Sequence, residues 1–373
     1  MKRLLAIPVL LVALLAVAAV GAGQGNARPA AKLPKGFFGI GPQTVLTGED
    51  AEYMGAGGVE SIRLPISWPN VQRTAQGGYD WHEVDLSVAA ASRQGIQVLP
   101  FIWGTPSWLA GKSTTMPLNN RRQRVAWSAL LRAAVERYGP GGQFWTEHAT
   151  EGEDGEPAIR PARPIRTWQI WNEANFFYFA FPVSPTRYAQ LLKLSRRTIK
   201  RFDPGATIVL TGLFGEPTAK GRRGMPAAEY LKRLYRVPGI KSQFEGVALH
   251  PYAVDSEKLE ILVEGVREVT RDARDRPRFY ITEMGWGSQN NFKQVAFEQG
   301  IRGQVRQLRG AYEYLIENRN RLNLKGVYWF SWKDVKGACS FCDSVGLFRA
   351  GQKFRPKPAW HAFVGFSGGR ARP

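Results

Sequence analysis

TWQIWNEANFF, Thr167 to Phe177, sets one carboxylate inside a run of apolar and aromatic residues. Up to Glu173 it reads as a strand covered on both faces, and strands covered on both faces belong to parallel sheets. A carboxyl group is costly to bury unless something uses it. The strand and the Glu173 that closes it therefore pose one question: what sheet is this, and what faces Glu173 across it?

Runs of the same character flank this one, read as IRTWQIWNE (165–173). GFFGIG (36–41), VESIRLPI (59–66) and IQVLPFIWG (96–104) precede it, and TIVLTGL (207–213), FEGVALHPY (244–252), RFYITEMG (278–285) and GVYWFSW (326–332) follow. Helical patterns lie between them. RRQRVAWSALLRAAVERYG places Trp127, Leu130, Leu131, Ala134 and Tyr138 on one face. Ser184 and Pro185 form a cap and first helical position, and Asp203-Pro204-Gly205 ends that helix. Asp255-Ser256 opens another. Ala296 to Asn318 reads as a long seventh helix and PAWHAFVGFS as a short eighth. Eight strand-then-helix units predict an α/β fold, a (β/α)8 TIM barrel forming a single catalytic domain over residues 36–366, with 367–373 as a tail. A doubly wound open sheet is the alternative, disfavoured in its dinucleotide-binding form by the lack of a glycine-rich loop after the first strand. Gly139 to Pro164 is an insertion before the fourth strand, and its EGEDGEPAIRPARP part, polar and proline-rich, is expected to be a surface loop.

The chain has 373 residues with a hydrophobic fraction of 44%, enough for a full core. Its N-terminus is a separate object. Met1-Lys2-Arg3 precedes an apolar run from Leu4 to Val20, and small residues follow. Residues 1–22 are expected to be a secretory signal cleaved after Ala22; left uncleaved, the same run would anchor the chain in a membrane. Residues 23–35 read as a tether. The protein is thus expected to be secreted or otherwise extracytoplasmic, and a monomer. The formal net charge is +20. No basic ribbon interleaved with aromatics appears, so specific nucleic-acid binding is not expected. Outside a cell the charge would favour anionic wall polymers or acidic polysaccharide; a merely solvated basic surface is the competing reading. Cys339 and Cys342 are expected to form a short local disulfide in an exported chain, with free or redox-active thiols as the alternative. The four histidines are scattered, so neither a metal site nor a cofactor is expected.

In such a barrel, chemistry sits where strands end. Glu173 closes the fourth run and Glu283 the seventh. His250 and Tyr252 close the sixth, and Arg63 lies in the second. Two carboxylates across one pocket suit glycosidic cleavage: one protonates the leaving oxygen, and the other attacks the anomeric carbon or activates water. The acid needs a raised pKa, and an apolar setting beside Trp168 and Trp171 is expected to supply it by desolvation. Arg63, Tyr252 and His250 are candidates to hold the other carboxylate.

WNEAN closing the fourth strand and ITEMGW closing the seventh resemble glycoside hydrolase clan A. RLPISW, HPY and the strand-eight tryptophans are similar to the clan too. The resemblance covers about residues 36 to 366, and WQIWNEAN, WGTPSWL and HPY look most like family 39 and its bacterial extracellular-polysaccharide relatives, with families 5 and 51 as close competitors. It implies a retaining O-glycosyl hydrolase with Glu173 as acid/base and Glu283 as nucleophile, a carbohydrate substrate, and Asn172 bonded to a sugar hydroxyl. Arg63 and Tyr252 would contact Glu283. Trp332 or Trp329 would floor the sugar site.

Blander readings stand beside these. Glu173 would pair with Arg166 or Arg63 as a structural carboxylate, Arg63 would be a plain ion-pair partner, and His250 a satisfied core histidine. Trp103 and Trp108 are each core or sugar platform; Trp103 lies nearer its strand end and is preferred. Trp329 and Trp332, three apart, cannot share a strand face, so at most one is a platform, and Trp332 is closer to the loop. A transglycosylase using the same residues and a non-catalytic glycan-binding barrel at the cell wall are the rival functions. Loops decide sugar and linkage; the conformations of Gly139–Pro164 and Trp332–Phe348 are not legible from the sequence.

Overall fold

The computed structural model describes residues 33–152, 155–291, 295–351 and 353–371. The expected export signal or anchor, residues 1–22, and all of the tether up to residue 32 lie outside them. Residues from Pro34 onward form one compact unit. Among the described residues no helix is long and apolar enough to cross a membrane.

Eight parallel strands close into a barrel in chain order: β1 (Phe38–Gly41), β2 (Ser61–Ser67), β3 (Gln97–Trp103), β4 (Thr167–Ile170), β5 (Thr207–Phe214), β6 (Gly246–His250), β7 (Arg278–Met284) and β8 (Leu324–Phe330). β8 pairs with β1, Phe38 opposite Val327, so there is no edge, and the open doubly wound sheet is ruled out. Each strand overlaps a run singled out in the sequence, because near-continuous apolar stretches are what a sheet buried on both faces requires.

One main helix follows each strand: α1 (Gly48–Ala56), α2 (His82–Arg93), α3 (Arg121–Tyr138), α4 (Pro185–Phe202), α5 (Ala227–Tyr235), α6 (Ser256–Asp272), α7 (Gly300–Glu317) and α8 (Pro358–Ser367). Ser184 caps α4 through Arg187 N–H and Asp255 caps α6 through Lys258 N–H, as their side chains predicted. α7 starts at Gly300 rather than Ala296, since the residues before it run in an irregular loop beside the barrel mouth. The apolar face read on α3 is buried as expected.

Strand alternation decides what faces the barrel axis. On β4, Gln169 points inward to Arg63, while Trp168 and Ile170 point out beneath the helices. The insertion Gly139–Pro164 joins α3 to β4, so it lies at the end where strands begin. There its residues 162–164 stand beside Gln97, Thr167, Arg278 and Lys325. It is therefore remote from the strand ends where the carboxylates sit. Of the two long connections, only Trp332–Phe348 reaches them.

Candidate active site

Arg63 organises the site from β2. Its guanidinium donates from Nε to Gln169 Oε1 (2.7 Å), from NH1 to Glu283 Oε1 (2.5 Å) and from NH2 to Asn172 Oδ1 (2.7 Å). It lies 3.8 Å above the Phe101 ring. One buried cation thus fixes residues from β3, β4, the loop after β4, and β7. Burial pushes its pKa down, opposed by the charges of Glu283 and Glu173.

Glu173 does not sit on β4 but three residues past its end, in a tight turn where Trp171 and Glu173 both take positive φ (70° and 36°). Such backbone costs on the order of 1–3 kcal/mol per residue and persists where the surroundings enforce it. Here β5 enforces it. Glu173 N–H donates to Gly212 O (3.1 Å) and Ala174 N–H to Thr211 Oγ1 (3.1 Å). Asn175 accepts from Phe214 N–H and donates to the carbonyls of Phe214 and Met225. This clamp was not read from the sequence; an asparagine two residues after the acid, followed by aromatics, was its only trace.

The Glu173 carboxyl is buried and its Oε1 lies 2.8 Å from His250 Nδ1. His250 Nε2 lies 3.6 Å from Glu283 Oε1 and makes no hydrogen bond among the described residues. Burial, then the charge on Arg63, push the imidazole's pKa well below its ordinary value, so the ring is neutral. Burial raises the pKa of Glu173 well above its ordinary value, the neighbouring Glu283 raises it further, and Arg63 opposes. The enclosure therefore favours the protonated form of Glu173. The expected cause was partly wrong. Trp168 shares the outward face of β4, and Trp171 packs on Trp127 of α3, 5.9 Å between rings, with its N–H on Phe179 O. Desolvation comes from enclosure in the barrel mouth instead.

Glu283, on β7, accepts from Arg63 at Oε1 and from Tyr252 Oη at Oε2 (2.7 Å). Burial and the charge of Glu283 hold the Tyr252 hydroxyl well above its ordinary pKa, so it remains a donor. One oxygen of each carboxyl and a His250 nitrogen lie within 4.8 Å of one another. Retaining glycosidases place their carboxyls about 5–5.5 Å apart and inverting ones about 6.5–9.5 Å. The same trio has a metal-binding donor set, which scattered histidines did not suggest. Arg63 argues against a cation there: its guanidinium already holds the Glu283 oxygen that would be shared.

The tryptophans divide. Trp103 shares the inward face of β3 with Phe101, two residues nearer the mouth, and is half-buried against Phe179. Trp108 is tied back by Nε1–H to Gln72 O and packs on Trp68. Trp332 is no platform. It is buried, donates to Asp50 Oδ1 (2.8 Å) and packs on Phe348 and Trp360. Trp329 faces outward, its N–H on Val345 O. The β8 residue that reaches the site is Phe330, in phase with Tyr328 and 6.2 Å from the Tyr252 ring. Phe214, Phe297 and Phe341 complete an aromatic wall around Tyr252, with ring centroids 5.7, 5.7 and 5.4 Å away. Phe341 sits between Cys339 and Cys342, which are disulfide-bonded as expected.

Solved structures show where this architecture recurs. A family 39 glycoside hydrolase from the gut symbiont Bacteroides cellulosilyticus WH2 aligns over 90% of this chain and 64% of its own, at TM-score 0.62 and 18% identity. A monomeric beta-xylosidase from Caulobacter crescentus CB15 aligns over 89% and 68%, at 0.58 and 18%. A glucosidase from Croceicoccus marinus aligns over 91% and 69%, at 0.62 and 14%. These glycoside hydrolases share the (β/α)8 barrel fold with this chain. No protein-family model matches the chain. No curated protein matches it either. The chain spans just under two thirds of the length of the Bacteroides enzyme.

Proposed function

We propose that the protein is a retaining glycoside hydrolase that cleaves O-glycosidic bonds in an oligo- or polysaccharide by double displacement. One observation carries the reading: Glu173 and Glu283 lie close enough for a shared glycosyl centre yet occupy opposite environments, one enclosed beside a neutral histidine, the other held by Arg63 and Tyr252. In the first step Glu173 gives its proton to the glycosidic oxygen while Glu283 attacks the anomeric carbon. The bond to the leaving sugar breaks and a glycosyl ester on Glu283 forms. In the second, Glu173, now ionised, takes a proton from water as the water oxygen displaces Glu283. Asn172, oriented by Arg63, is placed to address a sugar hydroxyl, and Trp103 offers an aromatic face at the rim. Arg63 and Tyr252 offset the charge that returns to Glu283 as the ester breaks.

We further infer export, from the basic start and the apolar run Leu4–Val20.

The test is a screen of oligosaccharides with NMR detection of the first anomer released. The expected product keeps its configuration, Glu283→Ala abolishes turnover, and azide restores turnover of an activated glycoside by Glu173→Ala. Inverted product or a fully active Glu283→Ala variant refutes the proposal. Sugar transfer in place of hydrolysis would make the protein a transglycosylase.

A further inference from the structure

The end of the barrel opposite the carboxylates holds a cavity of about 670 Å³. Five cationic side chains line it: Lys35 before β1, Arg163 and Arg166 before β4, Arg278 at the start of β7 and Lys325 at the start of β8. The proline-rich end of the insertion and the two residues after it, RPARPIR (160–166), deliver two of them. Their counter-charge is small. Arg166 meets Asp203 at 3.1 Å, and Arg278 donates to the Thr207 hydroxyl at 2.9 Å. Lys35, Arg163 and Lys325 have no hydrogen-bond or ion-pair partner among the described residues. Among the described residues no carboxylate lines the cavity; Glu60 holds the amides of Phe37 and Phe38, and Glu245 the amide of Ile208 and Arg196.

Like charges spread over a convex surface are simply solvated. Charges converging on a concavity focus their field into it and draw in anions. Guanidinium groups match the oxygen pairs of carboxylate and phosphate. The volume lies in the range of small-ligand sites, about 300–1,000 Å³. Five cations against one carboxylate call for a multiply charged ligand. Among the described residues, none of the large exposed hydrophobic side chains lines the cavity.

We propose that this cavity is a non-catalytic binding site for an acidic glycan segment, whose carboxylate or phosphate groups seat between Lys35, Arg163 and Lys325. The polymer held there is separate from the bond being cut, and the site does not depend on the chemistry proposed above.

Titration calorimetry at low salt tests it on the Glu283→Gln protein, with trigalacturonate, inorganic pyrophosphate and neutral cellotriose as probes. Trigalacturonate should bind one-to-one and at least tenfold more weakly when Arg163→Ala and Lys325→Ala are added, while cellotriose affinity stays the same. Pyrophosphate binding more tightly than trigalacturonate, with the same loss in the variant, assigns the anion as phosphate. Both side chains are remote from the mouth, so an unchanged melting temperature certifies the variant's fold. Equal affinity in both proteins, or no binding of either anion, overturns the proposal.

Discussion

Gly212 is what lets His250 occupy its place: a β-carbon on residue 212 would lie 1.9 Å from His250 Nε2. The glycine falls at a register irregularity of β5, and its carbonyl also receives the Glu173 amide. Histidine and acid are therefore set by the same backbone atoms. Gly212→Ala is expected to destabilise the fold by ~1–3 kcal/mol through overpacking. It should also displace the imidazole and cut kcat/KM by on the order of 100-fold. Kinetics below the melting transition separate the two effects. Unimpaired kcat/KM would show that the His250–Glu173 contact does not position the acid.

The raised pKa of Glu173 has consequences of opposite sign for activity and stability. Folded Glu173 keeps its proton to higher pH than the unfolded chain, whose glutamate titrates at its ordinary value of 4.5. Folding therefore weakens as pH climbs from 4.5 through the raised value. Glu173→Gln removes that loss. Its melting temperature should exceed the parent's by a margin that is small at pH 4 and grows towards pH 8. Turnover of unactivated glycosides should fall ~10²–10⁴-fold. A margin that shrinks with pH would mean that Glu173 is ionised in the folded protein.

Glu283 is the second-largest cause of that shift, after burial, and Arg63 opposes it. Glu283→Gln takes away a like charge and leaves Arg63 uncompensated, and both changes lower the Glu173 pKa. Carbon-13 NMR of the Glu173 side-chain carboxyl should show its titration moving to lower pH in this variant. A midpoint that stays put would uncouple the two carboxyls and undo their assignment as a pair.

Trp103 and Trp332 should respond differently to truncation. Trp332→Ala removes a buried ring and one of the donors to Asp50 Oδ1, which keeps Lys333 Nζ at 2.6 Å, and should cost ~3–5 kcal/mol of stability with KM retained by the folded fraction. Trp103→Ala should leave the melting temperature in place and raise KM about three- to tenfold, as the loss of ~0.5–1.5 kcal/mol of aromatic contact implies. The reverse pattern would restore Trp332 as the sugar platform.

The barrel was legible because parallel strands buried on both faces write themselves as apolar runs, and eight of them alternate with capped helices. Glu173 and Glu283 were legible because an ionisable group at the end of such a run has a cost that only a site explains. Trp332 was misread because chain proximity to the mouth says nothing about direction: its partner Asp50 lies 282 residues away. Phe330 was recoverable from alternation along β8, while Trp329 and Trp332 drew attention by residue type alone. Gly212 and Asn175 act through the close approach of β5 to the turn after β4, a contact that no local pattern encodes. Phe297 and Phe341 come from irregular loops, where periodicity carries no signal.

Phe341 makes the last of these cases testable. The Cys339–Cys342 bond closes a loop so short that its entropic contribution is about 2 kcal/mol or less, so reduction should lower the melting temperature by only a few degrees. Its effect on the site should be larger. Phe341 is buried against Tyr252, Phe297 and Phe330, and Tyr252 holds Glu283. Freeing the loop releases that wall from its contact with Tyr252, the residue that holds Glu283. Reduction, Cys339→Ser/Cys342→Ser and Phe341→Ala should each raise KM several-fold, and Phe341→Ala should do so whether or not the disulfide is intact. Steady-state kinetics with and without reductant make the comparison. If reduction changes KM in the Phe341→Ala protein as much as in the parent, the disulfide acts on the site by a route other than this ring.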